Sequence, residues 1–351
     1  MKCKFHLSDG VTVSQLPENY NRFYIQEYIE PEVASERFVY HGDGIFNWLD
    51  AHCVELYDVF QRAIFETDEE FYKYYDLQPI GLMRAGLDSD VDLSKDMFEN
   101  YFDDSLYNTL VLEKENCPAE LKLYYEGLDQ RKYKYAYTAD CHGLINSLQE
   151  LIIGSNTSFC LFYKYLASVR GAEDFCNNYF TMSVDSRITF NMLHSFIIQV
   201  YSMFDILTKL TYELENIKEC ATQYERMASR KILFGDKKNL KLDISDTIFE
   251  TCRAISIFVN LRNELIHNST WEMNPKVFFA VNEGVITERC IYLPDFGPDG
   301  NLITYKNRKR FFSEGKKVNH ELPELYMEVL RRVRVTITKL IGDNSLLMES
   351  C

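Results

Sequence analysis

Apolar residues in this chain recur mainly at three- and four-residue spacings, which predicts helices, with one good β-hairpin signal late in the sequence. Residues 1–45 are rich in aromatics and turn formers. They give only a short strand at Phe38-Val39-Tyr40, followed by the turn His41-Gly42-Asp43-Gly44. From Ile45 to Phe65, Phe46, Leu49, Cys53, Leu56, Tyr57, Phe60 and Ile64 trace a helix, with Trp48 and His52 as packing groups. Further helices are expected over Asp68–Tyr75, Ser94–Glu113 and Pro118–Tyr135, the last with proline in its first turn. Asp140–Ile153 reads as an amphipathic helix stopped by Gly154, and Ser155–Val169 as another ending near Gly171. Arg187–Glu215 is the longest periodic run, with Leu193, Phe196, Ile197, Val200, Phe204, Leu207 and Leu214 on one face.

The polar stretch Asn216–Asp243 predicts a short helix and a loop, after which Ser245 or Asp246 offers a cap for a helix ending near Asn268. Lys276–Val281 and Val285–Leu293, joined by Asn282-Glu283-Gly284, predict a β-hairpin, and Leu302–Tyr305 a short further strand. A final helix over Pro323–Ile341 carries Tyr326, Val329, Leu330, Val333, Ile337 and Leu340 inward and ends at Gly342. The expected class is mainly α, with a helical N-terminal region at 1–180 and a second, helical domain at 181–351. The β-hairpin is expected over about 276–305, inserted before the helix at about 323–341.

Composition narrows the function classes. At 351 residues, 46% hydrophobic and 14% aromatic, the chain describes an ordered globular protein. No apolar run reaches the length of a membrane span, and Met1-Lys2-Cys3-Lys4-Phe5-His6 leads into polar residues rather than a signal-peptide core. The ten cysteines are scattered singly with no Cys-x-x-Cys pair, as expected for free thiols in a reducing cytoplasm. Cys141-His142 is no catalytic pair, because helix neighbours do not face each other. A net charge of −15 argues against a general nucleic-acid binder but leaves room for a local basic groove. Acidic residues gather at Asp88–Asp92 and Glu99–Asp104, and basic ones at Lys306–Lys317. The Asp run lacks the glycine and glutamate of a calcium loop. Phosphate-binding, dinucleotide and nucleophile-elbow motifs are absent, and no cofactor or metal is expected.

The most informative stretch is Ile255–Asn268. With about 100° per residue and Arg262 at zero, Ile255, Phe258, Val259, Leu265 and Ile266 fall within about 60°. Ser256, Asn260, Asn263 and His267 form a polar stripe at about 100–160°. An arginine on an apolar face needs a partner: a carboxylate, a polar groove or a phosphate.

Arg262-Asn263-Glu264-Leu265-Ile266-His267 resembles the Arg-polar-x-x-x-His signature of the HEPN superfamily, over about 181–275 and at most to the C-terminus. The resemblance implies an antiparallel helical bundle and a metal-independent endoribonuclease of the toxin or antiviral abortive-infection type. It further implies an RNA substrate, a homodimer with a composite site, and an antitoxin or phage-derived trigger as partner. The resemblance does not reach residues 1–180, for which a sensing or regulatory role is the separate expectation. Arg262, Asn263, His267 and Asp205 are the candidate catalytic residues, Asp205 opposing Arg262 from the preceding long helix; a purely structural Asp–Arg pair is the alternative. The other class of function is an inactive HEPN-like module that binds protein or nucleic acid.

The chemistry suits these residue types. A 2′-hydroxyl can attack the adjacent phosphate if a base, a cation and an acid assist. Histidine moves protons near neutrality, and arginine forks onto phosphate oxygens. Lys306, Arg308, Lys309 and Arg310, followed by Phe311 and Phe312, are candidate RNA-binding residues. On a regular helix Arg262 and His267 diverge by about 140°. Either the helix end is irregular, or two copies meet across a two-fold axis.

Overall fold

A computed structural model describes residues 4–6, 12–13, 39–41, 43–65, 130–171, 178–217, 232–272 and 274–342. The helices expected at Asp68–Tyr75 and Ser94–Glu113, the start of the one at Pro118–Tyr135 and the acidic stretches at 88–104 lie outside them. The described part is mostly helical, as the periodicity requires. No helix among the described residues is long and apolar enough to cross a membrane.

Strands β1 (Lys4–His6), β2 (Thr12–Val13) and β3 (Val39–His41) form a small sheet in the order β2-β1-β3, with β1 parallel to β3. Helix α1 (Asp43–Ile64) follows the expected register and buries Leu49, Cys53, Leu56, Phe60 and Ile64. Helix α2 (Gln130–Ser168) replaces the two helices expected on either side of Gly154. A glycine inside a helix costs only about 1 kcal/mol relative to alanine. Here Gly154 also leaves room for Gln199, whose amide nitrogen would lie 3.3 Å from an added Cβ.

Strand β4 (Tyr179–Thr181) precedes α3 (Val184–Glu215). After a 3-10 helix at Phe234–Asn239 come α4 (Arg253–Asn268), β5 (Val277–Asn282), β6 (Val285–Cys290) and α5 (Val318–Gly342). The hairpin forms as expected, its tight turn carried by Glu283 (φ 51°) and Gly284 (φ 78°), the paired left-handed conformation that matches strand twist. β4 adds to its other edge, antiparallel to β5, giving the order β4-β5-β6. The strand expected at Leu302–Tyr305 is reduced to isolated bridges, Phe296 with Leu302 and Tyr305 with Arg308.

Two compact units make up the chain, each from separated stretches. One takes Met1–Cys53, Leu148–Leu207 and Leu242–Lys339; the other takes Val54–Ser147, Thr208–Lys241 and Leu340–Cys351. In the first, α2, α3, α4 and α5 meet at Phe159, Phe196, Phe258 and Tyr326. Phe196 stands edge-on to Tyr326 at 4.8 Å and tilted to Phe159 at 5.4 Å. The Tyr326 hydroxyl lies 2.8 Å from that of Ser155. In the second, the Tyr137 hydroxyl donates to the Glu213 carboxylate at 2.7 Å, and His142 packs edge-on to Tyr57 at 4.6 Å. Burial pushes the His142 imidazole down to about 4, so it is neutral at pH 7.

Two boundaries differ from expectation for local reasons. Helix α4 starts at Arg253 with Cys252, not Ser245 or Asp246, at its N-cap. The side chain of Asp243 accepts the Ser245 backbone and hydroxyl at 3.1 and 2.7 Å, and the Asp246 amide donates to Glu250 at 3.0 Å. This turn is bound to α5 by Lys339 on Asp243 and by Arg332 on the Thr247 carbonyl at 2.9 Å. Helix α5 begins five residues before Pro323, although proline cannot donate to the carbonyl four residues back. That carbonyl, on Asn319, accepts the buried Tyr163 hydroxyl at 2.9 Å instead.

Candidate functional site

Helix α4 is regular from Arg253 to Asn268, so Arg262 and His267 stay about 140° apart. The buried residues are Ala254, Ile255, Ile257, Phe258, Leu261, Glu264 and Leu265. They occupy an arc with Arg262 near one edge and Glu264 near the other. Between those edges an open stripe carries Asn263 and the exposed His267, with Ile266 52% exposed beside them. His267 stands in the last helical turn, where the helix dipole favours a cation.

On one edge, the Arg262 guanidinium lies over the Tyr201 ring of α3, 4.6 Å from its centroid, and donates to the Asn263 side-chain oxygen at 3.2 Å. The partner required for this half-buried arginine is therefore an aromatic face, an interaction of about 0.5–2 kcal/mol. Asp205 sits one turn along α3 from Tyr201. Burial raises the Tyr201 phenol, Asp205 raises it further, and Arg262 opposes both. Tyr201, Arg262 and Asp205 thus share one electrostatic neighbourhood on α3 and α4.

On the other edge, Glu264 is almost wholly buried, its side chain 1% exposed. Its carboxylate pairs with Lys309, accepts Arg310 Nε and Nη2 at 3.0 and 2.9 Å, and accepts Asn268 at 3.2 Å. Burial pushes this carboxyl up, but the two cations outweigh it and hold it below the usual carboxylate range. Lys309 and Arg310 are thereby tied to α4, whereas Lys306 and Arg308 stay exposed at a tight turn. Backbone bonds of 2.8 and 2.9 Å between Tyr305 and Arg308 close that turn. Lys306 (φ 47°), Asn307 (φ 61°) and Arg310 (φ 76°) all adopt left-handed conformations, which asparagine tolerates and which cost a lysine or an arginine about 1–2 kcal/mol each. Downstream, Asp295 accepts the backbone amides of Ser313 and Glu314 at 2.7 and 3.0 Å.

Asn260, part of the expected polar stripe, is an anchor. Its amide donates to the Gly300 carbonyl and to Asn301 Oδ1, both at 3.2 Å. At the opposite end of α4 from His267, a cleft of about 310 Å³ is lined by Cys252, Arg253, Glu321, Glu324 and Glu328. Three carboxylates there disfavour a polyanion. His194 of α3, near Trp271, is lowered to about 4 by burial and is neutral at pH 7.

The candidate residues therefore fall into three groups: Asn263 and His267 on the open stripe, Arg262 with Tyr201 on one side of it, and the basic turn with Glu264 on the other. Sequence reasoning missed Tyr201, one turn from Asp205 on α3, as the arginine's partner. It also passed over Glu264, whose signal was a carboxylate one turn from Leu261 and next to Leu265 on a helix with an apolar face. No family model, curated protein or solved structure matches the chain.

Proposed function

We propose that the chain is a metal-independent endoribonuclease of HEPN type, cutting RNA by attack of the 2′-hydroxyl on the neighbouring phosphate. One observation carries this reading. An exposed imidazole and a neighbouring amide, His267 and Asn263, lie on an open helical stripe flanked by an oriented guanidinium on one side and a basic turn on the other. His267 transfers the proton, Asn263 orients the phosphate, and Arg262 neutralises charge that grows in the transition state. Asp205 acts through Tyr201 and Arg262 as a positioning residue. Lys306, Arg308, Lys309 and Arg310 attract the RNA backbone.

Since α4 is regular, two chains related by a two-fold axis supply the complete site, the arginine of one beside the imidazole of the other. Ile198 and Ile266, 40% and 52% exposed and each one turn from the stacked pair, provide apolar surface for that contact. In a cell such an activity acts as a toxin or abortive-infection effector, restrained by an antitoxin or released by a phage component. The test is cleavage of labelled RNA in the presence of a chelator. His267→Ala should cut about 10²–10⁴-fold more slowly with the fold preserved. A wild-type chain that cuts nothing, or a variant that cuts as fast, removes the proposal.

A second reading has its own support. Arg262 is already engaged by Tyr201 and Asn263, as a purely structural arginine would be. A non-catalytic HEPN-like binding module would bind RNA or protein and leave RNA intact at every enzyme concentration.

A further inference from the structure

The proposed cleavage site leaves one conspicuous group unused. Tyr305 is 64% exposed, at the first position of the turn that α4 holds through Glu264. Its backbone is fixed by reciprocal bonds with Arg308 at 2.8 and 2.9 Å, so the ring stands on a rigid base. The Lys306 ammonium lies 5.5 Å from the ring centroid. Lys306 and Asn307 occupy the two central positions of the turn, both left-handed. Asparagine or glycine suits such positions; lysine does not. A cation is thus held beside an aromatic ring at a conformational cost that the turn itself does not require. Arg308 and Lys309 are exposed beside it. Against Glu264, the four cations from Lys306 to Arg310 leave an excess of three positive charges in a chain of net charge −15.

We propose that this turn is a docking point for unpaired RNA, in which the Tyr305 ring stacks on one exposed base while Lys306 and Arg308 take the flanking phosphates. This rests on the ribonuclease reading and deepens it by naming the substrate class. Every base offers a face to an aromatic ring, so stacking tolerates sequence but needs the base free of its own helix. An A-form duplex keeps its bases stacked and presents only backbone to a fingertip of this kind. The substrate that satisfies both halves of the turn is therefore a single strand, a loop or a bulge.

The experiment uses the full chain and a short, non-cleavable 2′-O-methyl RNA carrying 2-aminopurine, as a single strand and annealed to its complement. Binding is read by anisotropy and stacking by quenching of the 2-aminopurine fluorescence. The wild type should bind the single strand at least about tenfold more tightly than the duplex and quench the probe. Tyr305→Ala should lose about tenfold in affinity and most of the quenching, and Tyr305→Phe should retain both. Both substitutions are at an exposed position, and unchanged thermal unfolding checks the fold. Equal binding by Tyr305→Ala, or equal binding of duplex and single strand, overturns the proposal. Cleavage of unmodified RNA by the same proteins separates the two failures. If the wild type cuts but Tyr305→Ala binds and cuts normally, only the docking point falls. Binding and quenching without cleavage support the docking point and remove the nuclease reading, and a wild type that neither binds nor cuts removes both.

Discussion

Replacing Glu264 by glutamine removes the one charge that joins the basic turn to α4. The side chain keeps its size and can still accept from Asn268, so no cavity opens. What disappears is the ionic part of the contacts to Lys309 and to Arg310 at 2.9 and 3.0 Å. Breaking a wholly buried pair costs about 3–5 kcal/mol, largely because a charge is stranded. Here the survivors are the cations, with side chains 42% and 30% exposed, and water receives them. Discounting for that screening leaves about 1–2 kcal/mol.

The loss should be local first. Arg310 is held at φ 76°, and with its clamp gone the turn relaxes. Hydrogen exchange over residues 305–310 should therefore accelerate before the core opens, and urea unfolding at neutral pH should shift by the amount stated. The pH dependence has a definite sign. A carboxyl depressed in the folded state adds stability above its unfolded value of about 4.5, and that stability fades as pH falls through the folded value. The wild type should lose this contribution on acidification, and Glu264→Gln should have nothing to lose. Unchanged exchange at the turn, with stability within about 0.3 kcal/mol of wild type, would refute the clamp.

Other consequences are equally direct. Glu288 of β6 pairs with Lys317 and lies 2.7 Å from His320 Nε2; burial pushes its carboxyl up, yet these neighbours bring it down to about 2. The fall from 4.5 corresponds to at most about 3 kcal/mol of stability, complete above pH 4.5 and lost toward pH 2. Glu288→Gln should lower the urea midpoint at neutral pH and flatten the acid limb, and parallel acid limbs would contradict this. Gly300 (φ 79°) lies against the first turn of α4, where an added Cβ would come within 2.4 Å of the Arg253 carbonyl oxygen. Gly300→Ala should cost about 2–4 kcal/mol, read as a fall of several degrees in thermal midpoint. An unchanged midpoint would mean that this loop is not seated on α4.

Features written in local pattern were readable. The period of three to four residues located α1, α3 and α5, and Asn282-Glu283-Gly284 located the hairpin turn, which the structure narrows to Glu283-Gly284. Features that depend on a distant partner were not. Gly154 looks like a helix stop until Gln199 is placed across from it, and Pro323 looks like a helix start until Tyr163 supplies the missing donor. β4 has three residues and no alternation to detect; it exists because β5 offers an edge. The periodicity of 255–268 placed Asn263 and His267 together on one polar stripe of α4. Yet the ring under Arg262 and the cations on Glu264 come from 61 and about 45 residues away, beyond any spacing rule.

The segment after β6 is stapled to α4 twice, by Asn260 near the middle of the helix and by Glu264 one turn later. Helix and segment therefore travel together. A protein that grips α4 from outside would displace His267 and the basic turn as one body.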